Sequence, residues 1–395
     1  MRIVFVNLHG NEFLLKTLNK IVFKQSVAIK HKYLLDYLLN QPDIEICSYI
    51  NEKGFSMSYT HAKAFKYLRF LEHRIVLKCN HIDSKKITVI KKESDIHKDD
   101  ILILYQLYSN QFEFAACPEA LKVVSMIHFG TATVEQVKRI QPDVMYNEAN
   151  FQHGSIIFDH FYGWFDKKFI TIPFVFANRF KTIVPFRERK NMAVSVGTVT
   201  YQHNITEFYG SPCAQPARKQ VKDHAEELKD IIECRNSDYA ENDKGKTVSP
   251  SDGFLIRTYK QLYSKLFTGH QKNYYSFNMV DKFNEYKMCI VGEEIMGIPG
   301  VGFVEGMACG CAYIGQNIGY YEDYGMKEGV HYIGYDGTLE DLRSKIEYYQ
   351  QPSHQQELEQ IAKNGHEFAI QHFNGESIAK RLIEQLIEAQ KEKLQ

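Results

Sequence analysis

Residues 287–337 read K-M-C-I-V-G-E-E-I-M-G-I-P-G-V-G-F-V-E-G-M-A-C-G-C-A-Y-I-G-Q-N-I-G-Y-Y-E-D-Y-G-M-K-E-G-V-H-Y-I-G-Y-D-G. Met288 to Val291 is a short apolar run of the kind that forms a buried parallel strand. A glycine-rich loop follows, with Gly297, Gly300 and Gly302. A short helix is expected from about Phe303, carrying Glu305, Met307 and Ala308. Gly310 stops it, and Ala312 to Ile314 is the next strand. A strand, a glycine loop and a helix N-terminus in that order make an anion site. Backbone N–H groups point out of the helix end, its dipole favours negative charge, and glycine lets a diphosphate approach the backbone. Glu305, near the helix start, is placed to accept two hydrogen bonds from a diol such as a ribose. Glycines also make tight turns, so their spacing alone decides little.

The rest of the chain sets the frame. It has 395 residues, which points to two domains. Apolar residues make up 44% and charged residues 24%, a globular balance that excludes a disordered or fibrous chain. Lys+Arg and Asp+Glu both number 48, which argues against a nucleic-acid partner. The 25 Tyr and 26 Phe suit polar ligands with flat faces, such as sugars and bases, but equally fill cores. Eight scattered cysteines with no C-x2-C pair give no disulfide framework or structural zinc site. The start, M-R-I-V-F-V-N, reads as a strand rather than a signal peptide. No apolar run reaches the roughly 18 residues of a membrane span. A reducing cytoplasm is the expected compartment.

Apolar runs alternate with helical patterns in the first half. Ile3–Val6, Ile44–Ile50, Ile101–Tyr105, Lys122–Ile127, Asp143–Tyr146 and Phe169–Phe176 are expected strands, with a further short one bracketed by Lys85, Lys86, Lys91 and Lys92. Strands separated by helical segments imply βαβ units and a parallel sheet. Near residue 180 the polar stretch R-F-K-T-I-V-P-F-R-E-R-K marks a junction. Domains are expected at 1–182 and 183–375, with a terminal helix at 376–395 and a hinge at Lys181–Lys190. A strand restarts at N-M-A-V-S-V-G. Residues 201–253 read as an insertion or surface excursion holding one charged helix, Ala217–Cys234. Near the C-terminus, Leu358, Ile361, Ala362, Gly365, Phe368 and Ala369 share one helix face; Ile378, Leu382, Leu386 and Ala389 share another.

The string V-E-G-M-A-C-G-C-A-Y-I-G, with the Tyr321–Gly329 turn after it and the tail L-E-Q-I-A-K-N-G-H-E-F-A, resembles the nucleotide-sugar-binding element of GT-B glycosyltransferases. The group-1 and CgeB-like types are the nearest in pattern. The resemblance covers residues 274–390 well and the first half only in architecture. It implies two Rossmann-like α/β domains facing a cleft, a nucleotide diphosphate sugar as donor in the second domain, and no separate cofactor. Glu305 would bind the ribose, and the backbone of Gly300, Val301 and Gly302, with Gly297 in the same loop, would hold the diphosphate. Asn278 to Tyr286 would lie near the base. The terminal helix would return to the first domain.

Two departures stand out. Many retaining members carry a second glutamate that contacts the donor sugar; eight positions before Glu305 stands Gly297, so the upstream Glu294, or Glu293, is the donor-binding candidate in its place, at a different spacing. The family also places cations after the first strand of the second domain, where this chain reads G-T-V-T-Y-Q-H-N. Arg257, Lys260 or Lys265 are then the candidates.

His128 follows a first-half strand, where ligands of parallel sheets bind, and is the first catalytic candidate. His9, in N-L-H-G-N after the first strand, is the second, as a base or acceptor contact. His153 is a weaker third. No D-x-D motif sits at a strand end, so a catalytic metal is not implied. Arg187, Arg189 and Lys190 form a basic cluster. It reads as solvated charge, or else as a contact for a lipid-linked, phosphate-bearing acceptor or a membrane surface at the inner face. The function expected is sugar transfer to a hydroxyl acceptor, a glycan or lipid-linked glycan, in bacterial surface-polysaccharide assembly. A sugar-nucleotide epimerase or hydrolase on the same fold, or a non-catalytic binding relative, stays open.

Overall fold

The computed structural model describes residues 1–6, 8, 32–50, 69–105, 119–126, 134–152, 155–238, 255–256, 258–259 and 277–395. The chain divides into two compact units. Unit 1 is Met1–Gln152, Phe158–Val175 and Gly375–Gln395; unit 2 is His153–Ile157 and Phe176–Asn374.

Unit 1 carries a seven-stranded sheet. Its strands are β1 (Arg2–Val6), β2 (Glu45–Tyr49), β3 (Ile87–Ile90), β4 (Ile101–Tyr105), β5 (Leu121–Ser125), β6 (Val144–Asn147) and β7 (Lys168–Thr171), in the order β3-β2-β1-β4-β5-β6-β7. Every pairing is parallel, with Ile3 opposite both Ile46 and Ile101. Ile3, Val4, Phe5 and Val6 are all fully buried, which is why β1 is an unbroken apolar run: both faces of a parallel sheet are covered. The described helices here are α1 (Lys32–Leu38), α2 (Arg69–Cys79), α3 (Val134–Ile140) and α4 (Ile156–Tyr162).

Unit 2 carries β8 (Lys190–Val199), β9 (Ile232–Asp238), β10 (Tyr286–Ile290), β11 (Ala312–Gln316) and β12 (Ile333–Tyr335), all parallel, in the order β12-β11-β10-β8-β9. Its helices are α5 (Thr206–Tyr209), α6 (Pro216–Asp223), α7 (Ala225–Leu228), α8 (Met279–Glu285), α9 (Gly302–Ala308), α10 (Leu339–Gln350) and α11 (Gln355–His372). The last helix, α12 (Gly375–Leu394), belongs to unit 1 and lays Ile378, Leu382, Leu386 and Ala389 on the same core as Leu34, Leu35 and Leu38 of α1. Among the described residues no helix is long and apolar enough to cross a membrane.

Two expectations fail here. The single helix at Ala217–Cys234 is two short helices followed by β9, an edge strand of the sheet; Ile232 is its one fully buried residue, so its I-E-C-R-N-S-D sequence lacks a strand's apolar signature. Residues up to 238 are therefore part of the domain rather than an insertion. The stretch Lys181–Lys190, expected as a hinge, is fastened into unit 2. Asn284 Oδ1 accepts from Ile183 N (2.7 Å) and Val184 N (3.2 Å), and its Nδ2 donates to Lys181 O (3.0 Å).

Candidate functional site

In unit 2 the chain runs from β8 outward to β9, then returns to place β10 on the other side of β8. The strand order therefore reverses between β8 and β10, and open parallel sheets bind ligands beyond the strand C-termini at such a switch point. Arg218, in the first turn of α6, sits there. Its Nε donates to Val291 O (2.5 Å), Nη1 to Thr198 O (3.0 Å) and Nη2 to Gly292 O (3.3 Å). Buried Gln215 fastens the same edge: Oε1 accepts from Thr200 N (2.8 Å) and Oγ1 (2.9 Å), and Nε2 donates to Glu294 Oε1 (3.1 Å). Ile295 N donates to Ala214 O (2.8 Å), so the loop after β10 is strapped to the segment before α6. Gly300 lies against this strap. A Cβ there would stand 2.5 Å from Arg218 Nη2 and 2.6 Å from Val291 Cγ1, so only glycine fits.

The glycine loop leads into α9, as the sequence predicts. Phe303, Val304, Met307 and Ala308 are buried, as are Gly302 and Gly306; Glu305 alone in this helix keeps partial exposure. Phe303 and Met307, one turn apart, face the core, and Glu305, about 200° around from each, faces away from it. Among the described residues its carboxylate has no hydrogen-bond or ion-pair partner. Burial pushes it up to about 7, and the charge of Arg179 counteracts only part of that.

Beside the loop stands a buried carboxylate network. Glu293, 2% exposed, accepts at Oε1 from Gln316 N (2.9 Å), Tyr313 Oη (3.2 Å) and Tyr321 Oη. Burial, then Glu293, push the Tyr313 and Tyr321 hydroxyls well above their ordinary range, so both remain donors. Glu293 Oε2 is buried with no partner among the described residues. Gly297 has φ +89°, and a Cβ on it would stand 2.5 Å from Tyr320 Oη. Tyr320 fills the space a side chain at 297 would need.

Gly297, Glu294, Gly300, Val301, Gly302 and Glu305 therefore gather at one edge of the sheet. Tyr286 does not join them. It opens β10, 2% exposed, at the strand's other end, with Lys190 and Lys282 over its ring. A five-residue strand spans roughly 13 Å or more between these ends. Asn278 caps α8, accepting from Val280 N (3.0 Å). Arg189 is buried and bonded to Val184 O, Phe283 O, Cys309 O and Asn284 Oδ1, Arg187 pairs with Glu359, and Lys190 with Glu285. The basic cluster is thus one internal staple and two surface ion pairs. His9, His128, His153, Arg257, Lys260 and Lys265 lie outside the described residues. Arg218 and Tyr320 were not singled out by the sequence: Arg218 is 73 residues from Val291, and only the adjacency of β8 and β10 brings them together.

Among the described residues, one group has metal-ligand spacing: His97, Asp99 and Asp100. Arg2 already occupies it, bonded to His97 Nδ1 (2.8 Å) and paired with Asp100 (3.2 Å), so it does not suit a cation.

Two Rossmann-like parallel sheets, the second with a strand, glycine loop and short helix at its switch point, define the GT-B class of fold. HepE of Anabaena, in complex with UDP-glucose, is similar over 98% of this chain and 100% of its own, at 12% identity and a TM-score of 0.50. Sucrose-phosphate synthase of Thermosynechococcus elongatus aligns over 98% and 100% at 12% identity (TM-score 0.48), and a glycosyltransferase of Rickettsia africae over 98% and 98% at 10% (TM-score 0.46). At these identities the likeness is one of fold. No protein-family model matches the sequence, and no curated protein matches it significantly.

Proposed function

We propose that the chain is a glycosyltransferase of the group-1 or CgeB-like type. It moves a sugar from a nucleoside diphosphate sugar to a hydroxyl of a glycan or lipid-linked glycan, in bacterial surface-polysaccharide assembly, without a catalytic metal. The observation that carries this reading is the Glu305 carboxylate, unpartnered among the described residues, in the helix that follows the glycine loop, with Gly300 of that loop packed against the switch-point Arg218. The ribose diol donates two hydrogen bonds to Glu305. The Gly300, Val301 and Gly302 amides and the Arg218 charge offset the diphosphate, so Arg218 takes the part expected of Arg257 or Lys260. Because the diphosphate gains charge as it leaves, the same groups stabilise the transition state more than the ground state. HepE was crystallised with UDP-glucose, which makes uridine nucleotides the first probes.

If the reaction inverts configuration, it needs a base, and His128 and then His9 are the residues proposed from their sequence positions after β5 and β1. If it retains configuration, the leaving phosphate takes the acceptor proton. The test is a thermal-shift panel of uridine, guanosine and adenosine diphosphates and their glucose esters, followed by product analysis with and without a glycan acceptor. A bound native state melts higher. Stabilisation by at least one pair, with sugar transferred only when acceptor is present, is expected. Free sugar or an epimer formed without acceptor makes the chain a hydrolase or epimerase, and no shift with any member ends the donor reading.

A further inference from the structure

Around Tyr320 the structure leaves several polar atoms unsatisfied at once. The Tyr320 hydroxyl, against Gly297, makes no hydrogen bond among the described residues. The Tyr209 hydroxyl, from α5 just beyond β8, is buried and has no partner among the described residues. Glu293 Oε2 is buried in a residue only 2% exposed and also has none among the described residues. These are neighbours: Tyr209 and Glu293 both act electrostatically on Tyr320, and with burial they hold its hydroxyl protonated. A buried polar atom without a partner costs about 1–3 kcal/mol, and natural proteins keep few of them without a reason. Two such atoms, a hydroxyl and a carboxylate oxygen, stand beside the half-buried Tyr320 hydroxyl, and the three present donors and acceptors for a ligand with several hydroxyls.

Their place follows the order of the loop. Glu305 lies in α9 and Gly300 to Gly302 lead into it. Gly297, with Tyr320 against it, comes before them. A nucleoside diphosphate sugar laid with its ribose at Glu305 and its diphosphate at Gly300–Gly302 brings its sugar next to Gly297. Tyr320 is also preset. Its neighbour Tyr321 is fully buried and held by Glu293 and by Tyr313 (Oη to Oη 2.5 Å), so the turn that carries Tyr320 is fixed before any ligand arrives.

We infer that Tyr320 and Tyr209 are specificity-determining residues whose hydroxyls bind the hydroxyls of the transferred sugar, with Glu293 as the carboxylate beside them. This rests on the donor reading above. Such a site prefers the sugar ester over the bare diphosphate and prefers a fully hydroxylated sugar over a deoxy one, because a missing hydroxyl leaves the protein group unpaired.

The test is calorimetric titration of the full chain and its Tyr320→Phe, Tyr209→Phe and Glu305→Ala variants with UDP and UDP-glucose, or with whichever diphosphate and glucose ester bind best in the panel. Tyr to Phe keeps the ring and removes only the hydroxyl. The expected result is that each Tyr variant binds UDP within about twofold of wild type but loses about fivefold in affinity for UDP-glucose, the usual worth of one neutral hydrogen bond. Equal loss for both ligands together with a lower melting temperature makes the tyrosines structural and overturns the inference. An unchanged preference for UDP-glucose over UDP, while Glu305→Ala still weakens both, overturns it and leaves the donor reading standing. Failure of the wild type to bind either ligand sinks both.

Discussion

The two ends of β10 make opposite use of an arginine. At the N-terminal end Arg189 is buried and spends its guanidinium on Val184 O, Phe283 O, Cys309 O and Asn284 Oδ1, while Glu285 holds Lys190 (2.5 Å) and Lys282 (2.6 Å). At the C-terminal end Arg218 spans the gap between β8 and β10. At the same edge of the sheet, Glu305, Tyr320 Oη, Tyr209 Oη and Glu293 Oε2 have no hydrogen-bond partner among the described residues. Unsatisfied polar groups are costly, so where they gather, something other than stability keeps them. The comparison separates a closed structural end from an end prepared for a polar, anionic ligand. It can be broken by exchanging the behaviour of the two ends.

The largest effect is expected at the closed end. Arg189→Met strands several buried carbonyls and should cost about 3–5 kcal/mol of stability in chemical denaturation, without altering nucleotide affinity of the folded fraction. A change in affinity larger than the change in stability contradicts its structural role. Arg218→Met should cost less stability, about 1–3 kcal/mol, yet lower nucleotide diphosphate affinity by ~10-fold or more, as loss of charge-assisted hydrogen bonds does. If affinity holds, the switch point does not carry the diphosphate.

Next comes the pH dependence of Glu305. A free glutamate titrates near 4.5 and the folded Glu305 at about 7, so between these values the folded state holds more protons and stability falls as pH rises. Glu305→Gln removes that slope. Relative to wild type it should gain about 2 kcal/mol between pH 4.5 and pH 8, discounted for the partial exposure of the carboxylate. Parallel stability curves for the two proteins would show that Glu305 is not desolvated. The smallest effect is at the exposed pair of the closed end. Lys190 and Lys282 hold Glu285 down to about 2, so its contribution is present above pH 4.5 and fades as pH falls toward 2. Solvent screens it, and Glu285→Ala should cost less than about 1 kcal/mol at pH 7.

Legibility in the sequence followed locality. The strand, loop and helix around Glu305 are contiguous, and their apolar and glycine pattern was enough to place them. β1, β2 and β4 to β6 were readable because strands in the interior of a parallel sheet, buried on both faces, are largely apolar. β9 was missed because an edge strand needs no such run, and the helix expected through Cys234 took its place. Tyr286 was placed near the base by the resemblance, but a strand carries its two ends to opposite edges of the sheet. Arg218, Tyr320 and Tyr209 were invisible for the converse reason. They come from three separate segments, and only the β10-β8 pairing and the turn after β11 bring them to one edge. The basic stretch at 181–190 looked like an exposed joint because nothing in its sequence shows that Asn284 and Arg189 pin it.

The central claim is that the C-terminal end of β10 binds a nucleoside diphosphate through Glu305. The most direct measurement is calorimetric titration of wild type and Glu305→Ala with UDP, or the best-binding diphosphate, at pH 8, where the carboxylate is ionised. The account predicts a loss of about 1–3 kcal/mol in binding free energy for the variant, with its melting temperature in the absence of ligand unchanged or raised. Equal affinity in the two proteins would contradict it.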